Sequence, residues 1–417
     1  MTALADVASL EAAVRQTVAD VTITDVHTHL FSPAHGDLLL WGVDELLTYH
    51  YLVAELFTIA PRTLTPAAFW EMPKSEQADL VWEHVFIGHG ALSEAARGAV
   101  TTLNRLGLDV GGRDLASIRK WFAEQDVDEY LAMVFELAGL DYAVMTNNPF
   151  VAREVACWDQ ALPVPPCLRT ALRIDPLTDN WPEAAEAMTD AGYDVQVDGS
   201  GESYANARRF LADWAAKLNP MYLAASMPNT FAYPADGPAT EAIDEVILPA
   251  AKELGLPVAL MIGVRRGVNP PLGDGGDGVG VANVEAVQNL CAGHPDVKFL
   301  VTMLSRVNQH ELTICARKFG NLHLFGCWWF CNDPSIITEM TLQRIELLGA
   351  TFTANHSDAR VLDQLIYKWT HTRQVVADVL ADKYRLLFEA GWRPTHTEVT
   401  RDVRNVLGGA FEEFLAK

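Results

Sequence analysis

An α/β fold of the (β/α)8 TIM-barrel type, with a helical insertion after the first strand and extra C-terminal helices, is what the sequence predicts. Three observations carry that prediction. Eight short β-rich runs alternate with helical segments along the 417 residues. Most of these runs are continuously apolar, as strands buried on both faces of a parallel sheet are. No Gly-x-Gly-x-x-Gly follows the first run, which disfavours an open dinucleotide-binding sheet. Eight strand–helix units favour a closed barrel, and the length fits one elaborated barrel domain over 1–417.

The elements follow in order. Met1–Asp20 reads as an amphipathic helix, because Asp6, Glu11, Arg15 and Asp20 interrupt its apolar residues and exclude a signal peptide. The first strand is Val21–Val26. Residues 32–138 then separate it from the second strand, far more than a crossover helix needs, so they form a helical insertion with helices such as Val43–Phe57 and Ser75–Ile87. The remaining strands are Tyr142–Thr146, Arg169–Ile174, Met221–Ser226, Val258–Ile262, Lys298–Met303, His323–Gly326 and Thr351–Ala354. Helical periodicity marks Trp181–Leu218, Ala239–Leu254, Asn283–His294, Gln309–Phe319 and Pro334–Leu348, and Ala359–Lys417 reads as helices closing the barrel. The Gly-rich stretch Asn269–Gly280 lacks the Gly-Lys-Ser/Thr ending of a phosphate loop and reads as an ordinary surface loop, with a mobile lid as the alternative.

Composition narrows the function classes. Half the residues are hydrophobic, so a large core is available. The net charge of −23 argues against nucleic acid and against an anionic membrane surface, both of which need clustered positive charge. No run approaches the roughly 20 apolar residues that a bilayer requires. The cysteines, Cys157, Cys167, Cys291, Cys315, Cys327 and Cys331, form no Cys-x-x-Cys pair and read as reduced thiols of a cytoplasmic protein.

The strongest functional signal is Thr24-Asp25-Val26-His27-Thr28-His29. Side chains two apart on a strand share a face, so His27 and His29 can converge on one ion; exposed edge-strand histidines would show the same spacing. In a barrel, residues at strand C-termini share one pocket. That rule gathers Arg173, Asp175, Ser226, Arg265, Arg266, Ser305, Arg306, Trp328, Trp329, His356, Asp358 and Arg360. Asp358, after the last strand, neighbours the first strand and is the natural third metal ligand; the alternative is a helix cap or a carboxylate bonded to Arg360. Two imidazoles and a carboxylate with open positions suit a catalytic divalent ion, zinc first, with manganese possible. His356 is either a fourth contact or a group behind the ligands, and Asp25 an orienting carboxylate. His84, His89 and His294 read as surface or packing residues.

Absences matter as well. The fourth, fifth and sixth strands run into Met227-Pro228-Asn229, Gly263-Val264-Arg265 and Leu304-Ser305-Arg306, with no bridging carboxylate, lysine or histidine for a second metal. A mononuclear, arginine-rich pocket points to a sugar acid, its carboxylate bound by paired guanidinium donors. In the insertion, His50 and Tyr51 lie on a helix leaving the first strand's loop, where they either face the metal or pack internally.

The His-x-His pair, the His50-Tyr51 helix, Leu172-Arg173-Ile174-Asp175-Pro176, Phe325-Gly326-Cys327-Trp328-Trp329-Phe330 and His356-Ser357-Asp358-Ala359-Arg360 together resemble the uronate (glucuronate) isomerase family of the amidohydrolase superfamily. The resemblance spans essentially the whole chain. It implies interconversion of D-glucuronate with D-fructuronate and of D-galacturonate with D-tagaturonate. It also implies that His27, His29 and Asp358 hold the metal, that Arg173, His50 and Tyr51 contact substrate, and that Arg360 lies over the reacting carbons. Asp358, Arg360, Tyr51 and His50 are then the catalytic candidates, and a homo-oligomer is the family-level expectation. Two departures stand out: Asp358-Ala359-Arg360 where many members have Asp-Ser-Arg, and Tyr367-Lys368-Trp369 where they have Arg-His-Glu. The rivals are a mononuclear hydrolase or decarboxylase of the same superfamily, whose expected histidine after the fifth strand is missing, and a catalytically silent sugar-acid-binding protein.

Overall fold

Seven parallel strands and a curled segment of chain wall the barrel in the computed structural model, which describes residues 4–417. The strands are β1 (Ile23–Thr28), β2 (Leu140–Asn147), β3 (Leu168–Arg173), β4 (Leu223–Pro228), β5 (Val258–Arg265), β7 (Phe299–Met303) and β8 (Leu322–Leu324). The two-residue β6 (Gly278–Val279) folds back antiparallel on β5, so the barrel order is β1-β2-β3-β4-β5-β7-β8. Interior positions alternate with positions facing the helices. Tyr142, Val144, Ala171, Tyr222, Ala224, Ala259, Met261 and Leu300 pack inside, where Phe411 and Phe414 of the last helix join them.

The eighth predicted strand, Thr351–Ala354, is corrected by the structure. Only Thr353 makes a strand-like bridge, to Phe325, with N–H bonds from Thr353 to Leu324 O and from Gly326 to Thr353 O, each 2.9 Å. The next N–H, that of Ala354, turns instead to Val406 O at 2.8 Å. The chain rejoins β1 further on, where Asp358 N–H donates to His27 O (3.1 Å) and His29 N–H to Ala359 O (2.8 Å). The barrel therefore closes through irregular backbone that carries Asp358 directly against the two histidines. Buried Arg344 stiffens this seam by donating to Gly326 O at 2.9 Å.

Helices fill most of 33–138, and the predicted helix 43–57 divides into Val43–Leu47 and His50–Ile59. Tyr49 between them is extended, which starts the second helix with His50 and Tyr51 in its first turn. The last helix of this region, Val127–Ala138, is capped by Asp126, whose carboxylate accepts from the N–H groups of Asp128 and Glu129. It stops at Gly139, whose φ of 69° suits glycine, one residue before β2. Likewise the predicted 181–218 helix is two, Trp181–Asp190 and Ser203–Leu218, interrupted by a segment containing Gly192, Gly199 and Gly201. The N-terminal helix is Val7–Asp20, with Asp6 and Ser9 forming a capping box; residues 1–3 of the predicted Met1–Asp20 helix lie outside the described residues. No helix among the described residues is long and apolar enough to cross a membrane.

Candidate active site

At the C-terminal mouth of the barrel, His27 Nε2 and His29 Nε2 lie 3.6 and 3.2 Å from the same Asp358 oxygen, Oδ1. The hydrogen bonds behind the rings set their tautomers. Tyr222 donates its hydroxyl proton to Val26 O at 2.6 Å, so its oxygen is left to accept from His27 Nδ1 at 3.4 Å. Thr146 donates to Thr28 O at 3.0 Å, so its oxygen accepts from His29 Nδ1, also at 3.0 Å. Both Nε2 lone pairs then face the carboxylate. Burial, reinforced by His29, pushes His27 down to about 3, and burial holds His29 well below the ordinary histidine range, so both rings are neutral at physiological pH.

Three acceptors thus converge with no proton between them, and His27 Nε2 and Asp358 Oδ1 have no hydrogen-bond partner. Lone pairs arranged in this way repel one another, and a cation removes the repulsion. The donor set fits one divalent ion with positions left for substrate. His356 is not a member of this group; its ring lies 5.0 Å from that of His27, centre to centre, with both nitrogens unpartnered.

The loop that carries Asp358 is held from behind. Asp25 accepts from Ser357 N–H at 3.0 Å and from Trp369 Nε1–H at 2.8 Å, and burial pushes its pKa up to about 6. Asp25 therefore orients the backbone that carries Asp358 and does not orient an imidazole. Asn332 Nδ2 donates to His356 O at 2.7 Å. Asp358 itself sits at a φ of 52°, a conformation unusual for a residue with a Cβ and maintained by these contacts.

Around the cluster stand groups with unmet polar atoms. His50 Nε2, Tyr51 Oη and Trp329 Nε1 are buried without partners, and the His50 ring centre lies 5.7 Å from that of Trp329. Burial pushes His50 down to about 3 and Tyr51 well above the usual phenol range. Arg173 grips Asp175 with Nε at 2.8 Å and Nη2 at 3.2 Å, leaving its Nη1 edge without a protein bond. Asp175 in turn accepts from Ser226 N–H at 2.9 Å. Arg360 reaches Asp274 through Nη1.

A crystal structure of a uronate isomerase from Bacillus halodurans C-125 matches the fold with a TM-score of 0.96 at 45% sequence identity, over 99% of this chain and 98% of that one. The chain belongs to the uronate isomerase family. That makes it an aldose–ketose isomerase with a TIM-barrel fold. The uronate isomerase of Thermotoga maritima shares the fold at a TM-score of 0.76 and 14% identity, over 97% of each chain. So does the glucuronate isomerase of Caulobacter crescentus, at 0.74 and 16%, over 99% of this chain and 96% of that one. No protein-family sequence model matches the chain, and no curated protein sequence does.

Within this uronate isomerase fold, the strand-end arginines divide. Arg173 and Arg360 line the cluster. Arg306 points outward to Glu339 with 63% of its side chain exposed, Arg266 pairs with Asp277, and Arg265 is exposed. His294 bonds Tyr233 at 2.9 Å, and His89 bonds the backbone of His84, as packing or surface residues do.

Three contributions escape a reading of the sequence. The Gly-rich segment is no free surface loop: it brings Asp274 to Arg360 and accepts a bond from Trp70 Nε1 at Pro271 O (2.9 Å). A Cβ on Gly275 would come within 2.9 Å of His50 O, so the loop is seated on the His50 helix. After β2, half-buried Glu154 accepts from Asn148 N–H at 2.7 Å, and its partial burial raises its pKa to about 7. The third is Lys368, buried on the helix Gln364–Glu389. A loop's tertiary path and a lone lysine leave no periodic trace in a sequence.

Proposed function

We propose that this protein interconverts D-glucuronate with D-fructuronate, and D-galacturonate with D-tagaturonate, at a single divalent ion, zinc by its donor set, held by His27, His29 and Asp358. The observation that carries this reading is the convergence of that acceptor cluster with Arg173, Arg360, His50 and Tyr51 in one pocket. A bound ion supplies Lewis-acid polarisation of substrate oxygens.

The side chains supply the rest. The Nη1 edge of Arg173 binds the uronate carboxylate, while Asp175 fixes the guanidinium plane. The Asp358 carboxylate takes the C2 proton of the open-chain aldose, giving the cis-enediolate with its charge on O1, and Tyr51 Oη then protonates O1 to give the cis-enediol. The proton on O2 then returns to Tyr51, and Asp358 delivers its proton to C1, which leaves the ketose. Arg360 offsets negative charge on the enediol oxygens. Trp328 and Trp329, 3% and 5% exposed, wall the pocket. We place the enzyme in the cytoplasm, acting on a small-molecule uronate without nucleic acid or membrane, and as a homo-oligomer.

Incubation of the metal-loaded protein with D-glucuronate in D2O, followed by NMR, tests the reading. Ketose formation with deuterium entering at C1 or C2 is expected. Neither ketose nor exchange, with metal present, overturns it.

A further inference from the structure

Lys368 is 4% exposed, yet among the described residues its ammonium has no hydrogen-bond or ion-pair partner. Keeping an uncompensated charge inside a protein is costly, and burial lowers the pKa of this lysine. Its place is specific. Nζ lies 5.8 Å from the centre of the Tyr51 ring and 5.9 Å from that of Tyr367. Its charge is felt at His50 and His356, and the acids that favour its charged form are Asp358, Glu94 and Asp25. The other cations of the pocket already have acids: Arg173 holds Asp175, and Arg360 holds Asp274. Lys368 is thus the pocket cation whose counter-charge the protein does not provide.

We propose that Lys368 is a substrate contact: its ammonium donates to the anionic oxygen of the enediolate at the reacting end of the bound uronate. This rests on the isomerase reading above. Two features favour the reacting end over the carboxylate end. Lys368 Nζ lies beside the ring of Tyr51, the group assigned to protonate O1, whereas Arg173 is engaged by Asp175. An ammonium is also a compact three-donor charge suited to a single oxygen, unlike the forked guanidinium that suits a carboxylate.

The test uses the metal-loaded enzyme and its K368M and K368R variants. Methionine keeps the packing volume and removes the charge. Calorimetry compares a hexonate, with one carboxylate, and a hexarate, whose second carboxylate is planar and anionic like the enediolate. In K368M, hexarate affinity is expected to fall on the order of 10- to 100-fold, the worth of one bond to a charged group, while hexonate affinity stays within about twofold. The kcat for glucuronate falls with KM little changed, K368R recovers part of it, and K368M unfolds at the wild-type temperature or above. Equal weakening of both ligands, no weakening of either, or a drop in unfolding temperature alongside the loss of activity would each overturn the assignment. Calorimetry needs no turnover, so it separates this inference from the reaction itself; a wild-type protein that binds neither acid removes the uronate reading and Lys368's role with it.

Discussion

Arg173→Ala tests the substrate reading most sharply, because the structure gives that arginine two jobs. Its Nη1 edge is the proposed carboxylate contact, and its Nε and Nη2 hold Asp175 at 2.8 and 3.2 Å. Loss of a charge-assisted bond to substrate costs about 1.5–3 kcal/mol, which raises KM for a uronate roughly 10- to 150-fold. Loss of the grip on Asp175 strands a carboxylate that is 11% exposed beside the substrate site, at a cost to stability of about 3 kcal/mol; that is the low end for a broken buried pair, since Arg173 is 23% exposed. Asp175 is held below the usual carboxylate range, against its burial, chiefly by Arg173, so the variant loses the group that favours its ionised form, and the charge it retains faces the uronate unpaired. The two effects separate in Arg173→Ala/Asp175→Asn. Asparagine can still accept from Ser226 N–H, so the double variant should recover most of the unfolding temperature while KM stays high. Steady-state kinetics on glucuronate and thermal unfolding of the four proteins of the cycle make the measurement. A KM within threefold of wild type in the single variant would refute the carboxylate assignment, and a double variant with restored KM would mean that repulsion by Asp175 was the whole effect.

Other expectations follow from the same geometry. Asp358→Asn should abolish turnover and lower metal content, since it converts one shared anionic acceptor into an amide; Arg360→Met should abolish turnover with metal content intact, both judged by elemental analysis alongside the isomerase assay. In the metal-free protein, His27, His29, His50, His323 and His356 all have folded pKa values depressed by burial, so their neutral forms support the fold fully above about pH 6.5 and that support is lost as pH falls toward 3. Unfolding near pH 5 should then take up several protons, and a thermal midpoint that stays flat from pH 7.5 to 5 would contradict this. Gly326→Ala should cost about 2–5 kcal/mol and disturb metal binding, because φ is 79° and the new Cβ would lie 2.1 Å from His356 Cδ2; unchanged denaturant unfolding would show that His356 can move aside.

The legibility of this protein from its sequence varied with the physics behind each feature. Buried parallel strands need unbroken apolar runs, so β1 to β5, β7 and β8 all stood near their predicted places. The eighth strand did not, because an apolar run reports burial and not the path of its backbone bonds; Ala354 bonds Val406, and residues 356–358 leave the ladder to reach His27. Strand alternation and barrel order were enough to bring His27, His29 and Asp358 together. The same rule over-collected arginines, since Arg265 and Arg306 follow strand ends yet turn outward and Arg266 is taken by Asp277 over the ring of Trp329, and only side-chain packing distinguishes them from Arg173 and Arg360.

By itself, then, the sequence determined the strand–helix alternation, the long insertion after the first strand and the three acceptors of the candidate metal site, because periodicity and strand-end position are local properties that residue types record. Tertiary structure alone decided which nitrogen of each histidine is free, that Asp25 braces the loop of Asp358, that Asp274 descends from a Gly-rich segment onto Arg360, and that Lys368 is left without an acid. Those facts depend on contacts between residues as much as 344 positions apart, as Asp25 and Trp369 are, and such contacts exist only once the barrel has closed.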